Sequence, residues 1–332
     1  MVHLPLSIAP MIDWTHTHFR VLMRLLAPHA LLYTEMQTPQ AITHHPQRCL
    51  YFSAMEQPIA LQLGGADPDA LVVAAQQAQD LGYTEVNLNL GCPSDRVLAG
   101  RFGACMMQEP EQVAHIIRQL KQQLQIPVTA KTRIGVDHQD DYGFFSDFIH
   151  RLADAGCDKF IIHARKAWLH GLSPKQNRTI PPIQYDYAYQ IKKELPHIPF
   201  VINGNINNID AILVHLTKVD GVMLGRLACD NPYAIAQIHH ALYPDSPLPS
   251  RYQIACAYFA YLQTIPNTPL SVLLKPILNL AHGLPNAKIW KNHLVQAQCN
   301  KVLPEQLDTV LAFLRNAPST DEITLRVANG LI

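Results

Sequence analysis

The feature that most constrains this chain is an alternation. Short apolar, β-rich runs and amphipathic helical stretches succeed one another from the start to about residue 242. The pattern predicts eight strands, at Leu6–Met11, Ala30–Met36, Ile59–Gly65, Glu85–Gly91, Pro127–Arg133, Lys159–Arg165, Pro199–Asn203 and Gly221–Gly225. Helical stretches fill the intervals. In residues 68–82, Leu71, Ala74, Ala75 and Ala78 recur at three- and four-residue steps, and Gly82 supplies a C-terminal stop. Residues 109–124, 143–156 and 208–216 are patterned alike. Strands that alternate with helices lie parallel and are joined by right-handed crossovers. Eight such units close most simply into a (β/α)8 TIM barrel, and a doubly wound open sheet is the other arrangement the pattern allows.

The composition shifts after Leu242. YPDSPLPSR, residues 243–251, is a Pro/Ser-rich linker, and beyond it QIACAYFAYLQTI, LSVLLKPILNLAHGL, AKIWKNHLVQAQC and PEQLDTVLAFLRNA read as helices with no strand between them. The expected organisation is therefore a catalytic barrel over 1–243 and an all-helical domain over 244–332. No apolar run approaches the roughly 20 residues that span a bilayer, since Lys275 and Pro276 interrupt the best candidate. The opening residues lack a basic stretch before an apolar one, so no secretory signal is expected. The seven cysteines are odd in number, widely spread and without a CxxC pair. That pattern suits reduced thiols in a cytoplasm and speaks against structural zinc or another metal site.

Charge gives a mixed signal. The 26 basic and 26 acidic residues cancel, whereas a nucleic-acid binder is often basic. Distribution matters more, because a phosphate feels charge within a Debye length. No Asp or Glu occurs from Ser246 to Pro304, but Arg251, Lys275, Lys288, Lys291 and Lys301 do. From Lys159 to Arg178 there is again no acid, against Lys159, Arg165, Lys166, Lys175 and Arg178. Scattered solubilising charge would look the same in the absence of any other pointer to RNA.

Functional groups of a barrel gather at the C-terminal ends of its strands. Here those ends are polar: Glu35, Gln62, Asn87 and Asn89, Lys131 and Arg133, His163 and Arg165, Asn203 and Asn205, and Arg226. Polar groups at neighbouring strand ends are costly to bury unless something satisfies them. One large polar ligand over the mouth would do so, and so would an internal network. INGN at 202–205 and LGRLA at 224–228 place Gly204 and Gly225 at turns into helices. The N–H groups there, with Arg226, could bind a phosphate, although glycine at such a turn is often only a turn. No GxGxxG is present, so a Rossmann site is not indicated. Lys131 should point inward, either to stabilise charge on a flavin edge or to pair with an acid such as Glu35. His163 could meet a cofactor or bond within the core. Cys92 leaves the fourth strand just before Pro93, on a loop above the mouth, where a thiol can act as a general acid. Cys105, in GACMM, is the competing thiol, with neighbours that look like packing.

Together these residues closely resemble the tRNA-dihydrouridine synthases. APMIDWTHTHFR, TEMQT, QLGG, EVNLNLGCPS, AKTRIGVD, FIIHARKAWLHGLSPKQNR, VINGNI and GVMLGRLACDNP carry the resemblance over most of residues 7–232. HARKAWLHGLSPKQNR and the GLPNAKIWKNHL of the tail look like the A subfamily, which modifies U20 and U20a. The resemblance implies FMN as cofactor, NADPH as reductant and tRNA as partner, in an enzyme expected to be monomeric. Ala9, Pro10 and Met11 would wrap the isoalloxazine edge, Gln62 would bond its pyrimidine ring, and Lys131 and His163 would contact FMN. Asn203, Gly204, Asn205, Gly225 and Arg226 would hold the phosphate. A hydride would pass from flavin N5 to uracil C6, with Cys92 protonating C5. Asn89 would face the base, and Asn177, Arg178, Ile180, Lys288 and Lys291 would lie against the tRNA. Two rivals stand beside this reading. One is an FMN barrel acting on a free small molecule, as a dihydroorotate-type dehydrogenase does, and the other is a non-catalytic tRNA-binding protein or folding chaperone.

Overall fold

The computed structural model describes residues 4–300 and 307–315. The expected strands are present as β1 (Leu6–Ile8), β2 (Leu31–Tyr33), β3 (Ile59–Leu63), β4 (Glu85–Leu90), β5 (Val128–Arg133), β6 (Lys159–His163), β7 (Phe200–Asn203) and β8 (Gly221–Leu224). Each pairs in parallel with the next, and β8 pairs with β1, so the sheet is a closed eight-stranded barrel. The open sheet is thereby excluded. Most strands stop short of the expected C-terminal ends, and at β1 the reason is local. The Ala9 N–H still reaches the Leu224 carbonyl at 2.8 Å. Pro10 has no N–H, and the Met11 N–H turns to the Thr15 hydroxyl at 3.0 Å. The ladder ends there, and the chain is released into the loops at the mouth.

Period-two alternation divides the residues of each strand between two environments. Leu6, Ile8, Leu32, Ile59, Leu61, Val86, Leu88, Phe160, Ile162, Phe200 and Ile202 are buried and apolar, which suits the layer of helices around a barrel. The alternate set is different in kind. Ala9, Leu31, Tyr33, Ala60, Ile161, Val201 and Met223 form one apolar cluster, whereas β4 gives Glu85, Asn87 and Asn89 and β5 gives Thr129, Lys131 and Arg133. One side of the barrel interior is thus greasy and the other hydrogen-bonded.

The connecting helices start and stop where local chemistry directs. The Asp67 carboxylate caps Pro68–Asp80, and Gly82, with φ +88°, follows its end. Asp141 caps Tyr142–Asp154, and Asn208 caps Ile209–Leu216.

The chain divides into two compact units. One comprises the residues up to Arg20 with His29–Gly225, and the other comprises Val21–Pro28 with the chain from Arg226 onward. The described part of the second unit holds no strand. Its helices include Pro232–Leu242, Arg251–Gln263, Ala287–Asn300 and Leu307–Arg315. One expected helix is corrected. LSVLLKPILNLAHGL is helical only over Leu270–Leu274 and continues as turns. Pro276 removes a helical donor and crowds the preceding turn, yet Ile277, Leu280, Ala281 and Leu284 stay buried. The ends of the last expected helix, 304–306 and 316–317, and Lys301 lie outside the described residues. No helix among the described residues is long and apolar enough to cross a membrane.

Candidate active site

Cys92 lies two residues beyond β4, half-buried. Its N–H and that of Gly91 both donate to Asn89 Oδ1, at 3.0 and 3.2 Å. Its carbonyl accepts from the Ala104 N–H at 3.0 Å. Gly103 makes that approach possible: it sits at φ +76°, and a Cβ there would stand 2.6 Å from the Cys92 oxygen. The Cys92 thiol is 3.4 Å from Ser94 Oγ. Cys105 is differently placed. Its thiol contacts the Phe102 carbonyl at 3.2 Å, and burial raises its pKa.

Beneath Asn89 runs a column of buried polar side chains. Asn89 Nδ2 donates to Gln62 Oε1 at 2.9 Å, Gln62 Nε2 to Asn87 Oδ1 at 2.8 Å, and Asn87 Nδ2 to Thr129 Oγ1 at 2.9 Å. Thr129 donates to Glu85 Oε1 at 3.0 Å, where the Tyr33 hydroxyl also donates at 2.8 Å. Lys159 Nζ meets the other Glu85 oxygen at 2.5 Å. Gln62, Asn87, Thr129 and Glu85 are each at most 2 % exposed, so every polar atom there depends on this network. Burial first, then Glu85, hold the Tyr33 hydroxyl well above its ordinary pKa, so it stays protonated and donates.

Beside the column stand Lys131, Arg133 and His163, none of which forms a salt bridge among the described residues. Lys131 Nζ reaches Asn203 Oδ1 at 3.3 Å, and among the described residues Lys131 forms no salt bridge. Glu35, its expected alternative partner, instead accepts the Asp13 N–H at 2.5 Å. Burial, then the Arg133 charge, push the Lys131 ammonium down to about 7. Arg133 itself is lowered to about 10, again chiefly by burial. His163 is held well below its usual pKa by burial and by the positive charges of Arg133, Lys131, Arg165 and Arg178. Each group raises the cost of protonating the others, and an anion would relieve all of them.

The turn after β7 lies alongside. Gly204 has φ +123° and Asn205 φ +53°. A Cβ at Gly204 would come within 3.0 Å of the His163 ring, so only glycine fits. The Gly204 carbonyl accepts from the Tyr185 hydroxyl at 2.6 Å. The following helix begins only at Ile209, so this turn is not itself a helix end as the sequence suggested. A Cβ at Gly225 would meet only Ala9 and Met11, at 3.7 and 3.9 Å. Ala9 is buried, Pro10 and Met11 are half-buried, and Arg226 is exposed.

Residues 7–317 match the model of the dihydrouridine synthase family. A tRNA-dihydrouridine(20/20a) synthase of Synechocystis sp. is 47 % identical over 312 residues, covering 92 % of this chain and 93 % of the relative. One from Xanthomonas campestris pv. campestris is 49 % identical over 294 residues, 88 % of each chain. The chain belongs to the dihydrouridine synthase family. Among solved structures, a 2-naphthoyl-CoA reductase complex matches with TM-score 0.56 at 10 % identity, over 71 % of this chain and 50 % of that one, a likeness of fold alone.

In this dihydrouridine synthase the long loop after β6 is zipped to the loop after β5. Arg133 is the central tie, with Nε on the Gly91 carbonyl at 2.8 Å and Nη1 on those of Lys166 and Asn177, at 2.8 and 3.0 Å. The Asn177 side chain is fully buried. Its amide accepts from the Trp168 N–H at 2.7 Å and donates to the Trp168 and Leu172 carbonyls. Asn177 therefore shapes the loop from within, while Arg178 and Ile180 are exposed, Ile180 by 58 %.

The acid-free stretch from Lys159 to Arg178 is not a basic surface. Lys159 is buried on Glu85, Arg165 holds the Thr179 and Pro181 carbonyls, and Lys166 pairs with Asp140 at 2.7 Å beneath Trp168. Of its five bases only Lys175 and Arg178 are exposed. In the second unit Arg251 stacks on Tyr233 at 3.8 Å and bonds the Leu280 and His282 carbonyls, so it too is structural. Lys288 and Lys291 are exposed on Ala287–Asn300, and Trp290 between them is fully buried with its indole N–H on the Ile277 carbonyl.

The sequence reading assigns no role to Glu85, Thr129 and Lys159 in the site, and places Arg133 only among the polar strand ends. A signal existed for the first. In EVNLNL the polar residues fall at every second position, which places three of them on one face of a buried strand.

Proposed function

We propose that this enzyme reduces uridine to 5,6-dihydrouridine in transfer RNA, at positions 20 and 20a of the D-loop, with FMN as cofactor and NADPH as reductant. The substrate and positions follow the activity by which its relatives are named. The observation that carries the reading is the group of Lys131, Arg133 and neutral His163, none of which forms a salt bridge among the described residues, next to Cys92, whose backbone N–H is held by Asn89. A flavin mononucleotide suits such a place, since both its phosphate and its ring edge carry or gather negative charge.

Ala9, Pro10 and Met11 would border the isoalloxazine edge, and Gln62 would bond its pyrimidine ring. Lys131 and His163 would contact the ring system, and Asn203, Gly204, Asn205, Gly225 and Arg226 would hold the phosphate. Bound there, FMN supplies the hydride that adds to C6 of the uracil ring. Cys92 gives its thiol proton to C5, and the thiolate recovers a proton from solvent. Asn89, which already holds the Cys92 loop, meets the base. A base inside folded RNA reaches a barrel mouth only if it is extruded from its stack. Arg178 and Ile180, presented by a loop that Asn177 organises, lie against the RNA, and Lys288 and Lys291 meet its phosphates. Residues 1–243 act as the catalytic domain and 244–332 as the RNA-binding domain of a monomeric, cytoplasmic enzyme.

The first test is colour. The purified protein should be yellow and should release FMN on denaturation. Colourless protein that takes up no added FMN overturns the reading.

A further inference from the structure

The polar column under Cys92 has a direction, and both of its ends enforce it. At the floor, Glu85 accepts from Lys159, Tyr33 and Thr129. Thr129 has one proton, and its two nearby alternatives, the Glu85 carboxylate at 3.0 Å and the Val86 carbonyl at 3.3 Å, are both acceptors. The Thr129 oxygen can therefore only accept from Asn87, so Asn87 must turn its Nδ2 towards Thr129 and its Oδ1 towards Gln62. Gln62 in turn must offer Nε2 downward and Oε1 to Asn89. At the top, the backbone N–H groups of Gly91 and Cys92 can only donate, which requires Asn89 to present Oδ1. Flipping any one amide sets donor against donor or acceptor against acceptor along a column whose Gln62, Asn87 and Thr129 are buried. Gln62 Nε2 and Asn89 Nδ2 each keep one hydrogen, so a ligand atom meeting either amide nitrogen must be an acceptor, such as a carbonyl oxygen of a pyrimidine ring.

We propose that Thr129 and Asn87, anchored on Glu85, are positioning residues: they fix the amide orientation of Gln62 and Asn89 and thereby aim the Cys92 loop. Their effect on turnover rests on Cys92 being the acid; their effect on the Cys92 loop does not.

The test compares Thr129→Val, which keeps the shape and removes the hydroxyl, with Thr129→Ser, which keeps the hydroxyl. In holoenzyme reduced by NADPH without oxygen, Thr129→Val should slow reoxidation by unmodified tRNA about tenfold, the weight of one buried polar group left unpaired. Thr129→Ser should stay within about twofold of wild type, well under the cost of a lost bond. The second readout needs no tRNA: the rate at which iodoacetamide labels Cys92, followed by peptide mass, with Cys105 as internal reference. Thr129→Val should change the Cys92 rate several-fold and leave Cys105 alone, and Thr129→Ser should change neither. Equal Cys92 labelling in wild type and Thr129→Val overturns the positioning role. Altered labelling in an enzyme whose wild type ignores tRNA upholds the positioning role and removes the proposed reaction instead. If Thr129→Val does not fold, Thr129→Ala removes the same hydroxyl and is read the same way.

Discussion

Lys131 reaches across the mouth to Asn203, with Nζ 3.3 Å from Oδ1, and this neutral amide is its partner where a carboxylate would be expected. Its ammonium is lowered to about 7, against about 10.4 in an unfolded chain. Between those values the unfolded chain holds a proton that the folded chain has lost. The stability of flavin-free protein should therefore rise with pH across that window, and the penalty is complete below it. Lys131→Met should raise the melting temperature of flavin-free protein most at about pH 6 and little at about pH 10. Equal shifts at both would show that Lys131 carries no such strain. For FMN the sign is opposite: its dissociation constant should climb as pH rises above 7 in wild type and not in the variant.

Cys92→Ala should separate the two halves of the reaction. NADPH should still bleach the flavin, because that step needs no proton from the thiol. Reoxidation by unmodified tRNA should slow by roughly 10²–10⁴-fold, the usual weight of a general acid. Cys105→Ala, whose thiol is turned to the Phe102 carbonyl, should leave both rates near wild type. A wild-type rate in Cys92→Ala would move the acid elsewhere, with Cys105 the first suspect.

The barrel was legible because its information is local. Eight apolar runs and Gly82 after one helix are visible to anyone counting along the chain. The polarity of the strand ends was equally plain, and Cys92 stood out by its place after β4. What could not be read was which cation faces which partner. Lys159 and Glu85 are 74 residues apart and meet only because β4, β5 and β6 are neighbours in a closed sheet. For the same reason the bases from Lys159 to Arg178 looked like a surface patch, although closure of the barrel turns Lys159 inward and the loop folds over Arg165. The resemblance alone places Asn177 against RNA; that its side chain instead turns inward to the Trp168 and Leu172 backbone depends on tertiary bonds no sequence period shows.

That buried ion pair should matter for stability. Lys159→Met leaves the Glu85 carboxylate without its cation, and Lys159 and Glu85 are only 8 % and 2 % exposed. Removing one partner of such a pair costs about 3–5 kcal/mol. Urea unfolding of the variant should show a midpoint lowered accordingly, with the slope unchanged. A loss under about 1 kcal/mol, the usual worth of an exposed pair, would mean that Tyr33 and Thr129 suffice for Glu85.

Lys288 and Lys291, exposed on one helix, should act on RNA and not on the barrel. Changing both to Ala should weaken tRNA binding and lower its salt slope by about 1 to 2 units. Flavin content and NADPH oxidation by a small acceptor should be unaltered. Arg251→Ala should do the reverse, lowering thermal stability and sparing the salt slope, because its guanidinium is spent on Tyr233, Leu280 and His282. An unchanged slope in the double variant would show that this helix face does not meet RNA.

The central claim is tested most directly by the product. Enzyme reduced with NADPH under anaerobic conditions is mixed with tRNA lacking dihydrouridine, while flavin absorbance is followed and the RNA is then mapped by mass spectrometry. The account expects the flavin to reoxidise and dihydrouridine to appear at positions 20 and 20a in proportion to the flavin reoxidised. Flavin that stays reduced in the presence of that tRNA, or that reoxidises with no dihydrouridine at those positions, would contradict it.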